Sequence, residues 1–472
     1  MVTTDAPHRF GTGVATPEGY RPNGGRVPSL SGDIRHLVPK LGLREYWYPL
    51  CGAGRVGRRK PLRIRMLGED LCVFRGKAKD EVHAITDVCP HRGARLSEGD
   101  CHFAGTVACP YHGWVFDGRG NNVAVLSEGP GSLVCGKPGT EARAYPTRVL
   151  KGIVWVWMGE GEPAPIEEDV PEEYFDSRVH VFFNERIYWR TNWEVGLENT
   201  MDAHVQYLHR DYLMTLLGGD GVSPGRGGGG GRPYFTGYGF LIGRGRARPA
   251  PSSNPSHNGA ARRPARQAVY AEGWKWPKHD RRRFWSWLFK PLFYLFGARG
   301  PVMKQERWLS GHQLPGMVHG GRAIESAPPR GLFFLRPWKV SGDSNISFGL
   351  YTRYCVPVEE WRTRVWYMHP VLARTRLILA WNWLVYWTWA RWSCDYNFSQ
   401  QDMSVMLNLR YERPEKLSST DAEVVQWRRL VVTKHFGGRD HPFDYDNQDE
   451  SEPAEPALAA PAANSGRVAT VS

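Results

Sequence analysis

Two pairs of cysteine and histidine lie close together near residue 100 of the 472-residue chain. One residue separates Cys89 from His91, and two residues separate Cys109 from His112. Thiolate and imidazole are common ligands of transition metals in proteins. A glycine follows each pair within two residues, and glycine lets the backbone turn and approach a bound group closely. The spacing therefore predicts a metal site formed by two loops.

Two kinds of metal centre are compatible with these four residues. Structural zinc sites usually begin with two to four residues between paired ligands, and the single residue between Cys89 and His91 is short for that. The other is a [2Fe-2S] cluster with two cysteines on one iron and two histidines on the other. Such a cluster needs two loops, each of which donates one cysteine and one histidine. The spacing favours the cluster, and a zinc-stabilised scaffold is the alternative.

A second constellation, "LENTMDAHVQYLHRD", follows about ninety residues downstream and contains Asp202, His204 and His209. Two histidines and one carboxylate are the ligands of non-haem iron sites that keep positions open for O2. On an ideal helix His204 and His209 lie about 140° apart, so they converge only across a bulge or break. Such distortions are common at functional sites. The alternative is two ordinary histidines on an amphipathic helix.

The elements around these residues divide the chain into a β-rich part and a mixed part. "RIRMLGEDLCVFRG" predicts two short strands, and "GIVWVWMGEGEPAP" predicts a strand that ends in a loop. A helix with a Thr191/Glu194 capping box precedes the second constellation. Strand-like segments return after residue 305 in "GLFFLRPWKV", "NISFGLYTRYCVPV" and "RTRVWYMHPV", and helical segments follow near 375–411 and 420–435.

The net charge of +13 is concentrated in one segment. Residues 241–290 carry twelve Lys and Arg against two acidic residues, which is +10. A solvated insertion is the simplest interpretation, and an acidic protein partner or an anionic membrane is the alternative. We exclude nucleic acid as a partner because no binding motif accompanies the charge.

The chain also carries signals about its compartment. The eight cysteines are scattered and the first twenty residues are polar, so we expect a cytoplasmic protein with reduced thiols. Residues 377–390 are fourteen apolar-leaning residues, which is too short to span a bilayer. They predict a buried helix, with peripheral membrane contact of this segment and of residues 284–296 as the alternative.

"CPHRGARL" and "CPYHGWVFD" closely resemble the cluster-binding loops of the Rieske non-haem iron oxygenases. The resemblance implies that Cys89, His91, Cys109 and His112 bind one [2Fe-2S] cluster per chain. Respiratory Rieske proteins add a disulfide and a serine near the cluster, and Ala94, Tyr111 and Trp114 stand at those places here. The loops therefore look like the oxygenase type.

The resemblance also implies a mononuclear Fe(2+) in each chain. His204 and His209 match its two histidine ligands, and Asp402 in "NFSQQDMSVMLNLRYERP" matches the third, with Asp395 as the alternative.

Asn199 and Asp202 match the family pattern before the first histidine, where the Asp bridges a Rieske histidine to an iron ligand. Only Ala203 separates Asp202 from His204, whereas the family usually has two residues there. Glu198, one helical turn earlier, is the alternative bridge.

The implied fold is α+β, an N-terminal all-β Rieske domain followed by a catalytic domain with an antiparallel sheet flanked by helices. We expect a loosely ordered arm at 1–43, the Rieske domain at 44–165, the catalytic domain at 166–440 and a disordered tail at 441–472. A Gly-rich basic insertion of the catalytic domain covers about 216–283.

The implied function is that of a terminal oxygenase, in which Asp202, His204, His209 and Asp402 serve catalysis. Electrons from NAD(P)H would arrive through a flavin reductase or ferredoxin, pass from the cluster to the iron, and serve O2-dependent hydroxylation, demethylation or desaturation. The aromatic-rich second half favours a bulky apolar substrate, and the family forms homotrimers in which electrons cross between subunits. A Rieske electron carrier without oxygenase activity is the alternative.

Overall fold

The computed structural model of the chain describes residues 26–129, 131–170, 172–201, 208, 317–320, 351–373, 375–411, 413–417 and 421–441. Several predictions fall outside these residues and are untested by the structure. They concern Asp202, His204 and His209, the basic insertion, the strand "GLFFLRPWKV" and the tail from residue 442.

The N-terminal part of the described chain consists of three antiparallel sheets. Their strands are β1 (Trp47–Gly52), β2 (Leu62–Met66), β3 (Glu69–Arg75), β4 (Val82–Thr86), β5 (Thr106–Ala108), β6 (Trp114–Asp117), β7 (Asn122–Val125), β8 (Ala144–Tyr145), β9 (Thr147–Leu150) and β10 (Ile153–Trp157). The strand orders are β1-β10-β9, β2-β3-β4-β8 and β5-β6-β7. This β-rich organisation confirms the predicted all-β domain.

The hairpin β2–β3 shows how local sequence sets this architecture. Its two-residue turn consists of Leu67 and Gly68, which have φ values of 47° and 78°. Two successive positive φ values give a turn whose twist matches that of the flanking strands. Both strands predicted from "RIRMLGEDLCVFRG" are confirmed.

The second part of the described chain has one antiparallel sheet flanked by helices. Its strands are β11 (Val179–Trp189), β12 (Met317–Gly320), β13 (Tyr351–Glu359) and β14 (Arg362–Leu372), in the order β11-β14-β13-β12. The helices are α1 (Trp193–Met201), α2 (Arg376–Val385), α3 (Phe398–Met406) and α4 (Ala422–Gly437). A π-helical segment, Tyr386–Asn397, joins α2 to α3. The predicted strand "RTRVWYMHPV" and both helical regions are confirmed.

Helix α1 begins one residue later than the capping box predicts. Asn192 caps it, because the Asn192 Oδ1 accepts a hydrogen bond from the backbone N–H of Glu194 at 3.0 Å. The Glu194 side chain bonds to Lys40 Nζ instead, at 3.3 Å. The predicted Thr191/Glu194 box is wrong because a buried asparagine next to the threonine takes the capping position, which it fills equally well.

Part of the predicted N-terminal arm packs into the core. Ile34, Val38 and Leu43 are buried, which differs from the loosely ordered arm expected over 1–43. A short 3-10 turn, Arg35–Leu37, separates Ile34 from Val38, and Val38 and Leu43 belong to the main hydrophobic core. Burial of each aliphatic side chain stabilises this docking by about 1.5–3 kcal/mol.

Buried tryptophans fill the core that joins the two parts. The largest fully buried side chains include Trp155, Trp189, Trp193, Trp366 and Trp427. Across the junction, the rings of Trp155 and Tyr354 lie 5.5 Å apart in an edge-on arrangement.

The segment 377–390 is only partly buried. Asn382, Val385 and Tyr386 face the core, while Leu377 and Trp383 are exposed, so burial of the whole segment is a wrong expectation. Trp383 and Trp387 lie on its exposed side, and Trp381 and Tyr386 lie on its inner side. Among the described residues, no helix combines the length and the apolar character that a membrane span requires.

Candidate metal centres and active site

The two predicted cluster loops have the same backbone hydrogen bonding. In each loop the cysteine N–H donates to the carbonyl five residues ahead, at 2.8 Å for Cys89 and 2.7 Å for Cys109. The N–H of the glycine four residues ahead donates back to the cysteine carbonyl, at 2.9 Å and 3.1 Å respectively. The glycines have φ values of +75° and +67°, a conformation that favours glycine. The sequence therefore folds into two matching loops.

The loops bring the two thiols together at a buried position. Cys89 and Cys109 are both buried and their side chains hydrogen-bond to each other. This bond lowers the pKa of the Cys109 thiol to about 6, aided by the backbone N–H groups of Tyr111 and His112. The N–H groups of His91 and Arg92 bond in the same way to the Cys89 sulfur. A ring of amide donors around sulfur suits a bound, negatively charged cluster.

The two histidines lie beside each other on the solvent side of the thiols. The ring centroids of His91 and His112 are 4.6 Å apart, and the indole of Trp114 stacks on His91 at 4.8 Å with an interplanar angle of 5°. The Ser127 hydroxyl donates to the His112 carbonyl at 2.9 Å. Two thiols inside and two imidazoles outside fit the donor set of a Rieske cluster, with two ligands for each iron.

Asp402 lies on α3 and is fully buried against the second sheet. Its Oδ2 is 4.0 Å from Nη1 of Arg353, which is buried on β13. Arg353 Nη2 also donates to the Gly196 carbonyl of α1 at 2.8 Å. A carboxylate oxygen is one of the ligands that complete a non-haem iron site with two histidines. Asp402 therefore fits the predicted role, and the sequence did not predict Arg353 beside it.

Asp395, the alternative ligand, has other partners. Its Oδ1 is 2.8 Å from Nε2 of His369, and its Oδ2 accepts a hydrogen bond from the Tyr386 hydroxyl at 3.0 Å. All three side chains are buried. Both carboxylate oxygens of Asp395 therefore have protein partners among the described residues. The sequence carried no signal for this network, which joins β14 to the π-helical segment.

Glu198, the alternative bridge between the metals, forms an ion pair with Arg428 of α4. The guanidinium donates Nη2 to Glu198 Oε2 at 2.9 Å and Nε to the other oxygen. Arg428 also binds Glu415. This arrangement joins Glu198 of α1 to α4 through Arg428.

The described residues contain no group of three His, Cys, Asp or Glu side chains positioned to hold a metal ion. The predicted partners of Asp402, His204 and His209, lie outside the described residues. The structure thus places the four cluster residues together and places Asp402 in the core of the second part.

Two protein families match the chain in succession. The Rieske [2Fe-2S] domain matches residues 46–133, and the homotrimeric ring hydroxylase family matches residues 157–217. The first range contains both cluster loops, and the second contains α1 and the segment with Asp202, His204 and His209.

Individual relatives agree with this division. The chain is 33% identical over 190 residues to the terminal oxygenase component CarAa of carbazole 1,9a-dioxygenase from a Sphingomonas species, which is 40% of this chain and 49% of that protein. It is 34% identical over 201 residues to 4beta-methylsterol monooxygenase of Methylococcus capsulatus, covering 40% and 52%. The chain thus spans about half the length of these curated relatives.

Solved structures extend the likeness of fold further along the chain. The terminal oxygenase of carbazole 1,9a-dioxygenase from Nocardioides aromaticivorans superimposes with a TM-score of 0.54 at 24% identity, covering 85% of this chain and 97% of that one. The fold, the family matches and the geometry of the two loops agree with one another. The chain therefore contains a Rieske [2Fe-2S] domain at residues 46–133, followed at residues 157–217 by a segment that matches the homotrimeric ring hydroxylases, and it has the fold of a Rieske terminal oxygenase.

Proposed function

We propose that the protein is the terminal oxygenase component of a Rieske non-haem iron system. The observation that carries this proposal is the second unit, which follows the cluster domain in the same chain and buries Asp402 beside Arg353. An electron carrier needs only the first domain. The relatives named carbazole 1,9a-dioxygenase and 4beta-methylsterol monooxygenase support an oxygenase function.

The proposed residues divide the work between two centres. Cys89, His91, Cys109 and His112 hold the [2Fe-2S] cluster, and His204, His209 and Asp402 hold a mononuclear Fe(2+). When bound, these groups supply one-electron storage and O2 activation. The amide N–H groups around the two sulfurs stabilise the negative charge of a bound cluster.

The remaining side chains position and connect these residues. The Arg353 guanidinium lies 4.0 Å from the Asp402 carboxylate and provides an opposite charge beside it. Asp202 accepts a hydrogen bond from a Rieske histidine and orients His204. His91 is exposed and His112 is half-buried, so the imidazole side of the loops is the surface on which an electron donor docks.

A ferredoxin supplied by an NAD(P)H-dependent flavin reductase is the proposed electron donor, and a homotrimer is the proposed assembly. Complexes of oxygenase and ferredoxin among the similar solved structures support the first point. The match to a homotrimeric family supports the second. The proposed substrate is a bulky apolar organic molecule that is hydroxylated, demethylated or desaturated.

A cytoplasmic location is also part of the proposal. Seven cysteines of the described residues are free thiols, which suits a reducing compartment. Peripheral membrane contact through the exposed aromatic side of 377–390 is the second possibility.

The test is turnover with ¹⁸O2. The purified protein, a ferredoxin and its reductase are incubated with NADH and a panel of polycyclic, steroid and terpenoid compounds, and products are read by mass. We expect a substrate-dependent product that carries ¹⁸O or has lost a methyl group or two hydrogens. Iron analysis separates the alternative, because an oxygenase holds three irons per chain and an electron carrier holds two.

A further inference from the structure

A groove on the second part of the molecule has no role in the function proposed above. It lies between β11 and the helical stretch formed by α2 and the π-helical segment, and its volume is about 480 Å³. We name it the aromatic groove and define it by Phe182, Asn184, Trp383, Tyr386, Trp387 and Arg391. None of the described residues assigned to the two metal centres lines it. Its volume is in the range of small-molecule sites.

Flat apolar surfaces form the walls of the aromatic groove. The rings of Phe182 and Tyr386 lie 5.3 Å apart and are tilted by 36°, and Trp387 packs edge-on against Tyr386 at 5.6 Å. Trp383 and Trp387 are 56% and 48% exposed. A planar apolar group that covers the exposed faces of these indoles removes apolar surface from water, which favours binding.

The lining is strongly cationic. Arg55, Lys151, Arg186 and Arg391 border the cavity, and Glu185 is the one carboxylate among the described lining residues. That carboxylate is already paired, since its Oε2 is 2.9 Å from Nη1 of Arg55 and is also bound by a buried arginine of β14. The remaining positive charge attracts an anion.

Two hydrogen-bond donors at the aromatic groove lack an acceptor. Asn184 is 1% exposed, and its Oδ1 accepts from the backbone N–H of Arg186 at 3.2 Å. Its Nδ2 and the Nε of Arg391 are buried and have no hydrogen-bond partner among the described residues. A buried donor without an acceptor is costly, so a ligand that brings acceptor oxygens is favoured here.

The Arg391 guanidinium is held in place for such a ligand. Its Cζ lies 4.7 Å from the ring centroid of Trp387 and 5.6 Å from that of Tyr396. Stacking fixes the plane of the guanidinium, and a planar fork of donors matches the two oxygens of a carboxylate.

We propose that the aromatic groove is a binding site for a small planar aromatic carboxylate. The ring lies against the indoles of Trp383 and Trp387, and the carboxylate accepts hydrogen bonds from Arg391 and Asn184. Asp402 and the four cluster residues are not among the described residues that line it.

The test uses 2-naphthoate and its uncharged counterpart 2-naphthamide. Binding to the oxidised, metal-loaded protein is measured by quenching of tryptophan fluorescence and by calorimetry, without a reductant so that no turnover occurs. We expect saturable binding of 2-naphthoate that is at least tenfold tighter than that of 2-naphthamide. Arg391→Gln should weaken naphthoate binding at least tenfold, because it removes both the charge and the fork.

Three matched variants test whether binding is specific to the aromatic groove. Arg190→Gln removes an exposed positive charge that does not line the aromatic groove, and it should leave the affinity unchanged. Asp402→Ala should also leave it unchanged, which distinguishes the aromatic groove from the iron site. Arg391→Lys keeps the charge and should give intermediate affinity, so it answers the question if Arg391→Gln fails to fold.

Three results would overturn the proposal. The first is an absence of saturable naphthoate binding, and the second is equal affinity for the amide and the carboxylate. The third is a poly-glutamate peptide that displaces 2-naphthoate and binds more tightly, because it would show that the cations serve an acidic protein instead.

Discussion

At the scale of single residues, the Rieske assignment depends on which nitrogen and sulfur atoms meet the cluster. His112 lies with its ring 4.6 Å from that of His91, outside the buried thiols. We expect His112→Cys to change the reduced-state electron spin resonance spectrum strongly, because a third thiolate replaces a neutral imidazole and lowers the potential. His102→Cys, at an exposed histidine outside both loops, should keep the spectrum. An unaltered spectrum in His112→Cys would exclude this histidine as a ligand.

The two buried aspartates of the second part make a matched pair. Asp402→Asn should remove the mononuclear iron and product formation while the colour of the cluster stays, because a neutral amide is a poor ligand for Fe(2+). Asp395→Asn disrupts the hydrogen bonds to His369 and Tyr386. It should keep the iron and lower the free energy of unfolding by about 1–3 kcal/mol. Iron analysis and chemical unfolding check both, and the opposite pattern would make Asp395 the ligand.

Asp202 and Glu198 are distinguished by the ion pair with Arg428. Asp202→Asn should retain both metals and a reducible cluster but lose product formation, since the charge that joins a Rieske histidine to His204 is gone. Glu198→Gln weakens a buried pair that holds α1 against α4, so it should lower stability and leave the rate of cluster-to-iron transfer intact. Single-turnover kinetics of the pre-reduced protein measure that rate. If Asp202→Asn transfers electrons at the normal rate and Glu198→Gln does not, Glu198 is the bridging residue, one helical turn before Asp202.

At the scale of elements, the two cluster loops differ in what surrounds their glycines. Gly113 has φ +67° and a Cβ built there would lie 2.8 Å from the Leu126 Cβ, whereas at Gly93 such a Cβ meets nothing within 4 Å. Gly93→Ala should therefore cost only backbone strain, about 1 kcal/mol. Gly113→Ala should in addition displace β7 and reduce the cluster content. Absorbance of the cluster and the thermal midpoint measure both, and equal effects of the two variants would refute the role of Leu126.

The sequence predicted the elements that are determined by residues close together in the chain. The loops, the β2–β3 hairpin and the strand before the Gly/Pro loop follow from turn residues and alternation. The start of α1 did not, because Thr191 and Asn192 are both favoured N-cap residues and contacts of Asn192 with distant parts of the chain fix it as the cap. Its side chain donates to the backbone carbonyls of Lys40 and Glu360 at 2.9 Å and 2.6 Å. The position of Arg353 beside Asp402 likewise could not be predicted from the sequence, since β13 and α3 are adjacent only in the folded chain.

At the scale of the whole molecule, the two candidate centres lie in different structural units. One cluster loop follows β4 and the other joins β5 to β6, while Asp402 packs against the sheet of β11–β14. Because no strand is shared, a chelator that reaches the iron need not disturb the cluster. The family resemblance implies that electrons cross from the cluster of one subunit to the iron of the next, through His112, Asp202 and His204.

Mixed assemblies test that route. Asp402→Ala chains keep the cluster and lack the iron, and Cys109→Ser chains lack a normal cluster and keep the iron. Neither forms product alone. If electrons cross between subunits of a trimer, refolded or co-expressed mixtures contain neighbours that pair an intact cluster with an intact iron, and product formation returns to a fraction of the wild-type rate. If electrons stay within one chain, no mixed assembly contains a complete route, and the mixture stays inactive. The control is a chain that carries both Asp402→Ala and Cys109→Ser, mixed with either single variant. Because this double variant supplies neither an intact cluster nor an intact iron, product formation should stay absent.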